Sequence, residues 1–160
     1  MSKLKFSIRA WLVITPITFV VCLLTQNIAN LFGITLPDQA NLKIVRAMAG
    51  WSLNFAFLVT QIIVIMPVVE ELIFRLPLRF ANKLPQAAQI AIPIISAVLF
   101  TAAHYITQPF PDAAFIALLF FGLAQNYLYK KTQAILYPVL NHSLFNLTNL
   151  TLLLIVPEAA

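Results

Sequence analysis

The chain has 160 residues, is 61% hydrophobic, carries only 9% charged residues and has a formal net charge of +5; its mean hydropathy is +0.92. A soluble domain holds about 25% charged residues, so this chain has too little polar surface to face water, and lipid must be its solvent. Backbone groups in lipid must be hydrogen-bonded internally, and the apolar runs are long and do not alternate. The expected fold is therefore all-α: a polytopic transmembrane bundle of about five membrane helices, forming a single integral membrane domain over residues 1–160. No internal repeat is visible, which counts against the transporter folds built from repeats. The single cysteine, Cys22, excludes an intrachain disulfide. The positive balance reads first as a topology signal, with no nucleic-acid partner implied.

Lys3, Lys5 and Arg9 precede an apolar run from Ala10 to Ile28. Nineteen residues rise roughly 28 Å, enough to cross the hydrocarbon core. A retained helix is favoured over a cleaved leader, because Asn27, Ile28, Ala29 and Asn30 break any small-x-small cleavage site. Residues 30–50 form a mixed connection with Gly33, Pro37-Asp38, Lys43 and Arg46, where a short amphipathic piece is expected on the surface. Trp51 marks an interface, and a second helix runs from there to about Phe80, with kinks expected at Pro67 and Pro77. Helix three is expected over about Gln89 to Ile106, with Pro93 in its first turns. After a turn at 108–112, helix four spans Ala113 to Tyr129 and ends at Lys130-Lys131; helix five spans Gln133 to Val156.

This layout puts Lys3, Lys5, Arg9, Arg75, Arg79, Lys83, Lys130 and Lys131 on one side and Lys43 and Arg46 on the other. The bias predicts a cytoplasmic N-terminus and an outside C-terminus. The expected location is the plasma (inner) membrane.

Three polar constellations interrupt the apolar helices. The first is Glu70-Glu71-x-x-x-Arg75, which holds two of the chain's five acidic residues. Charge at membrane depth is costly and marks function by default; the plain alternative is a snorkelling cluster at a helix end. Glu71 and Arg75 are four apart and share a helix face, so they are expected to pair. Glu70 lies about 100° round the helix and is left free for chemistry. The second constellation is Phe100-x-x-x-His104 and the third is His142-x-x-x-Asn146, each spaced to share one face. Either histidine alone reads best as a hydrogen-bonded packing residue. Helix rise puts Glu70, His104 and His142 about 14–16 Å from the inner ends of their helices, so all three can meet at one level near the bilayer middle.

These three motifs, in this order, resemble the CAAX-protease and bacteriocin-processing family of intramembrane proteases, also called the Abi family. The segment from Phe121-Gly122-Leu123 to Lys131-Thr132, followed by Ile135 to His142, is similar to the family's third and fourth motif region. The resemblance covers about residues 55–150, the expected protease core, and leaves the first helix outside it. It implies an endopeptidase acting on a peptide or lipidated protein at the membrane. Glu70 would activate water as general base with help from His104. His142 and Asn146 would stabilise the oxyanion, with Glu71, Arg75 and Phe100 in support. No cofactor is needed on this reading. A zinc site made of Glu70, His104 and His142 ranks second, because Asn146 is a poor zinc ligand and there is no His-Glu-x-x-His pair.

An aspartyl mechanism fits badly, since Asp38 and Asp112 fall in loops. A serine mechanism fits badly too, since Ser96 and Ser143 lack a Gly-x-Ser-x-Gly setting. The competing functions are a catalytically silent membrane binding or immunity protein and a proton-linked transporter. A homo-oligomer is an open alternative to the single chain.

Overall fold

The structure is a computed structural model that describes residues 2–37, 40–50, 52–81, 83–106, 110 and 112–155, with backbone alone at 40–43. Asp38, Trp51, most of the 108–112 turn and Val156 lie outside the described residues, as does the side chain of Lys43.

The described residues form an all-α bundle. Its elements are α1 (Lys3–Leu31), α2 (Ala40–Met48), α3 (Leu53–Thr60), a π turn (Gln61–Ile65), α4 (Met66–Arg75), α5 (Leu78–Ala81), α6 (Gln86–His104), α7 (Phe115–Thr132) and α8 (Leu136–Ile155). The amphipathic piece expected in the first connection is α2. Among the described residues three helices are long and apolar enough to cross a membrane: Lys3–Leu31, the composite Leu53–Ala81 and Gln86–His104. The other two long helices fall short because of the polar residues they carry, some of them inward, together with the exposed Lys130 and Lys131 that end α7. In α7 the inward ones are Gln125 and Asn126, and in α8 Asn141 and His142, all buried. Their polar side chains face the bundle while the outer surfaces of the bundle expose Leu, Ile, Val and Phe, as lipid requires. The chain is an integral membrane protein.

Several helix ends differ from the sequence expectation. Pro67 produces no simple kink. Its missing N–H and bulky ring disturb the preceding turn, and the helix widens there into the π turn Gln61–Ile65 before α4 restarts. At Pro77 the helix breaks outright, leaving the short α5. Helix α6 begins three residues earlier than expected, so Pro93 lies well inside it and not in its first turns, and the helix ends at His104. His104 is thus a terminal helical residue, not one at mid-span.

Helices α6 and α7 cross closely at Gly122. A Cβ there would stand 3.2 Å from the Ala97 Cα and 3.2 Å from the Phe100 ring, so only glycine admits this approach without displacing Phe100. Phe100, Phe121, Phe145 and Ile14 form the apolar core. Phe121 stacks on Phe145 with ring centroids 4.4 Å apart, and Phe74 meets Phe100 edge-on at 5.6 Å.

Helix α1 lies outside the motif region, yet it closes the bundle. Ser7, Ile14, Thr15 and Thr18 make a buried stripe at helical spacing. Gln125 Nε2 donates to Asn141 Oδ1 at 2.7 Å, Asn141 Nδ2 donates to the Ser7 carbonyl at 3.3 Å, and Ser7 Oγ donates to the Tyr137 carbonyl at 3.1 Å. Such interhelical bonds tie α7, α8 and α1 where the hydrophobic effect gives helices no reason to associate.

Candidate active site

The i, i+4 spacing of Glu71 and Arg75 places both on the inward face of α4, and both are fully buried. Arg75 Nε donates to Glu71 Oε2 at 2.7 Å. Its Nη1 donates to Asn126 Oδ1 at 2.9 Å and to Ser96 Oγ at 3.2 Å, and the guanidinium carbon sits 4.9 Å from the centre of the Phe100 ring. Ser96 Oγ donates to the Phe74 carbonyl at 2.7 Å, which commits it to structure and removes it as a nucleophile. Asn126 Nδ2 donates to the Pro93 carbonyl at 2.6 Å. A buried arginine is tolerated when it is paired in this way; the Nη2 of Arg75 is buried with no hydrogen-bond partner among the described residues.

The second oxygen of Glu71 faces His142. Glu71 Oε1 is 2.9 Å from His142 Nδ1. A carboxylate accepts, so Nδ1 carries a proton and the ring's Nε2 points the other way. His104 is held alike: its Nδ1 is 2.9 Å from the Phe100 carbonyl, a bond that also fixes Nδ1–H. Phe100 supports both rings, with centroids 4.7 Å from His104 and 5.8 Å from His142.

Glu70 completes the group from the neighbouring face of α4. Its Oε2 lies 3.9 Å from His104 Nε2 and 3.8 Å from His142 Nε2. These gaps exceed a hydrogen bond and suit a small molecule held between the three groups. That oxygen is buried and has no hydrogen-bond partner among the described residues. The spacing therefore brings Glu70, His104 and His142 together, at the level where α6 ends.

Asn146 lies one turn beyond His142 on α8, as its spacing requires. Its Nδ2 donates to the Ile62 carbonyl at 2.8 Å, inside the π turn. A π turn loosens the backbone ladder and is a recurrent feature of functional sites; here it supplies the carbonyl that orients Asn146. One N–H of that amide remains for another acceptor.

A cavity of about 460 Å³ adjoins the site, with His104 and Asn146 in its wall. Asp112 also lines it. Asp112 Oδ1 accepts from the Tyr105 hydroxyl and from the Ala114 backbone N–H. Burial, together with this bond to Asp112, pushes the Tyr105 phenol well above its ordinary range, so it stays a donor at any physiological pH.

The donor set can be compared with zinc. Tetrahedral ligands at 2.0–2.1 Å from zinc stand roughly 3.3 Å apart, closer than the separations found here. Among the described residues no three His, Cys, Asp or Glu side chains group closely enough to hold one ion.

The residues that sequence reasoning missed are the amides Gln125, Asn126 and Asn141, and it weighed Ser96 only as a nucleophile and not as a partner of Arg75. Their signal was available as buried-type polar residues in apolar helices, but it is weaker than charge. The π turn had only Pro67 to announce it.

Comparison with curated proteins and with solved structures gave no match. A family model described as Type II CAAX prenyl endopeptidase Rce1-like matches residues 51–148, more than half of the chain and the whole stretch that carries Glu70, His104, His142 and Asn146. The chain belongs to the Rce1-like type II CAAX prenyl endopeptidase family.

Proposed function

We propose that this protein is an intramembrane endopeptidase that hydrolyses a peptide bond through a water activated by Glu70. The observation that carries this reading is the position of Glu70 Oε2, buried and 3.8–3.9 Å from two histidine Nε2 atoms whose Nδ1 protons are fixed elsewhere. A water held there would donate one proton to Glu70 and the other to His104 Nε2, whose lone pair faces it. Glu70 takes the first proton as the water oxygen attacks the carbonyl carbon. When the tetrahedral intermediate collapses, the same proton passes to the departing amine, and the carboxylate is restored.

The oxyanion would be met by Asn146 and His142. Asn146 has a free N–H for this. His142 can donate from Nε2 only with both ring nitrogens protonated, because its Nδ1 proton is committed to Glu71. It would therefore act as an imidazolium with Glu71 as counter-ion, and not as the neutral donor that an apolar site suggests. His142→Ala and Asn146→Ala are each expected to lower turnover by roughly a hundredfold or more, the usual cost of one oxyanion donor. Turnover and yield of folded protein would be measured for each variant; parallel loss of both would make these residues packing groups.

The reaction as written uses no metal. The experiment is a digest of a fluorogenic peptide library by the purified, detergent-solubilised protein, with and without prior chelation. Hydrolysis that survives chelation is the expected result. Stoichiometric zinc in the protein, with activity lost on chelation and restored by zinc, would replace this reading by the zinc one. The substrate class proposed is a peptide or lipidated protein at the bilayer, and the membrane proposed is the plasma membrane.

A further inference from the structure

His104 stands where a helix holds a residue least firmly. It is the last residue of α6. The last turn of a helix lacks part of its backbone ladder and frays. The bond from His104 Nδ1 and its ring contact both go to Phe100, four residues back in the same helix. They fix the ring on α6 and leave the end of α6 itself to be held. The role given to His104 beside Glu70 needs that end held, because Nε2 has to keep its distance from the carboxylate.

The next residue supplies a fastening. Tyr105 leaves the helix with its N–H donating to the Ala102 carbonyl at 3.0 Å, and its hydroxyl donates to Asp112 Oδ1. The same oxygen accepts the Ala114 N–H at 2.9 Å, one residue before α7 starts at Phe115. Asp112 is 2% exposed. A hydrogen bond to a carboxylate is among the stronger ones, and a setting with so little water strengthens it further. Asp112 Oδ2 has no hydrogen-bond partner among the described residues, so Oδ1 makes the side chain's two bonds. Aromatic rings pack on this contact. The Tyr105 ring lies 5.8 Å from Phe115 and 5.2 Å from Phe110, and those two lie 5.1 Å apart, between centroids.

Helices α6 and α7 also meet closely at Gly122, against Ala97 and Phe100. The Tyr105–Asp112 bond joins the end of α6 to the start of α7 on the other side of His104. His104 therefore lies between two fastenings, and it shares the wall of one cavity with Asp112. From this we infer that Tyr105 and Asp112 are positioning residues, whose bond holds the end of α6 so that His104 Nε2 stays aligned with Glu70. Neither touches the reacting atoms. A misplacement of about 1 Å is enough to cost about a hundredfold in rate. The inference rests on the peptidase reading for its effect on turnover; the hold on His104 stands without it.

The test joins kinetics to a direct view of His104. Tyr105→Phe removes one oxygen. It is expected to lower kcat on the best library peptide by about ten- to a hundredfold, with KM and Tm little changed. Asp112→Ala is expected to lose as much. Asp112→Asn keeps Oδ1 for both donors, and a neutral acceptor bonds at roughly half the strength, so at least about a third of kcat should remain. The double variant Tyr105→Phe/Asp112→Ala is expected to be no slower than Asp112→Ala, because both changes remove one bond. The chain has two histidines, so ¹⁵N-histidine NMR resolves each ring: Tyr105→Phe should shift or broaden the His104 signals and leave those of His142. Multiplying losses in the double variant, an Asp112→Asn as slow as Asp112→Ala, a raised KM at full kcat, or unchanged His104 signals in Tyr105→Phe would each overturn the inference. Should Asp112→Ala fail to fold, Tyr105→Phe and Asp112→Asn decide the matter alone. Absence of hydrolysis in the unmodified protein, with the His104 response to Tyr105→Phe intact, would defeat the peptidase reading and leave the hold on His104 standing.

Discussion

Glu70→Gln is expected to lower peptide hydrolysis by at least about a thousandfold, within the range lost when a general base is removed, while the folded protein keeps or gains thermal stability. The substitution preserves side-chain shape and removes only the proton acceptor. Stability should hold because Glu70 contributes no bond that the fold relies on. Its Oε2 is buried, faces two histidine nitrogens at 3.8 and 3.9 Å and is unsatisfied among the described residues. A charge held in such surroundings costs free energy, so removing it relieves the fold. Turnover on the best library peptide and Tm in detergent are the two measurements. A variant with more than a tenth of the original turnover, or one that fails to fold while Glu71→Gln folds well, would mean that the glutamates have the opposite roles. Partner binding by Glu70→Gln at unchanged affinity separates the enzyme from a silent binding protein, and a pH-dependent flux in liposomes would favour the transporter.

How the sequence announced this site depends on the cost of each feature. Two glutamates and an arginine in a chain with so few charges cannot be accidental in lipid, and helix periodicity alone separates Glu71 from Glu70. Glu71 and Arg75 pair as that periodicity requires. The i, i+4 relation of Phe100 and His104 is used twice, by ring contact and by the Phe100 carbonyl. What spacing could not carry was partner choice across helices. Nothing in His142-x-x-x-Asn146 says that His142 turns to Glu71 while Asn146 turns to the Ile62 carbonyl, because that division depends on a π turn forced by Pro67. Hydropathy marks α1 as a membrane helix but not which face turns inward, since its stripe of Ser7, Thr15 and Thr18 is small and polar and is outweighed by its lipid-facing residues. The three residues do come together, although the depth estimate rested on helix ends that were partly wrong, since α6 runs Gln86–His104 and His104 is its last residue.

Glu71→Gln is expected to damage folding and turnover together, for two separable reasons. Glu71 is fully buried and accepts from both Arg75 Nε and His142 Nδ1. A glutamine has one acceptor oxygen for these two donors. If the oxygen faces Arg75, its amide confronts His142 Nδ1; if it faces His142, its amide confronts the guanidinium. Either way a buried arginine loses its counter-charge, which typically costs about 3–5 kcal/mol. Neutralising the arginine as well should recover at least half of the lost Tm in Glu71→Gln/Arg75→Gln, because the uncompensated charge has gone. Turnover should not recover. His142 would still lack the carboxylate that holds its Nδ1 proton and balances its charge as an oxyanion donor. Tm and turnover for the two single variants and the double variant distinguish these effects. A stable, inactive Glu71→Gln would assign Glu71 to catalysis alone; recovery of activity along with stability in the double variant would show that Glu71 acts on the fold and not on His142.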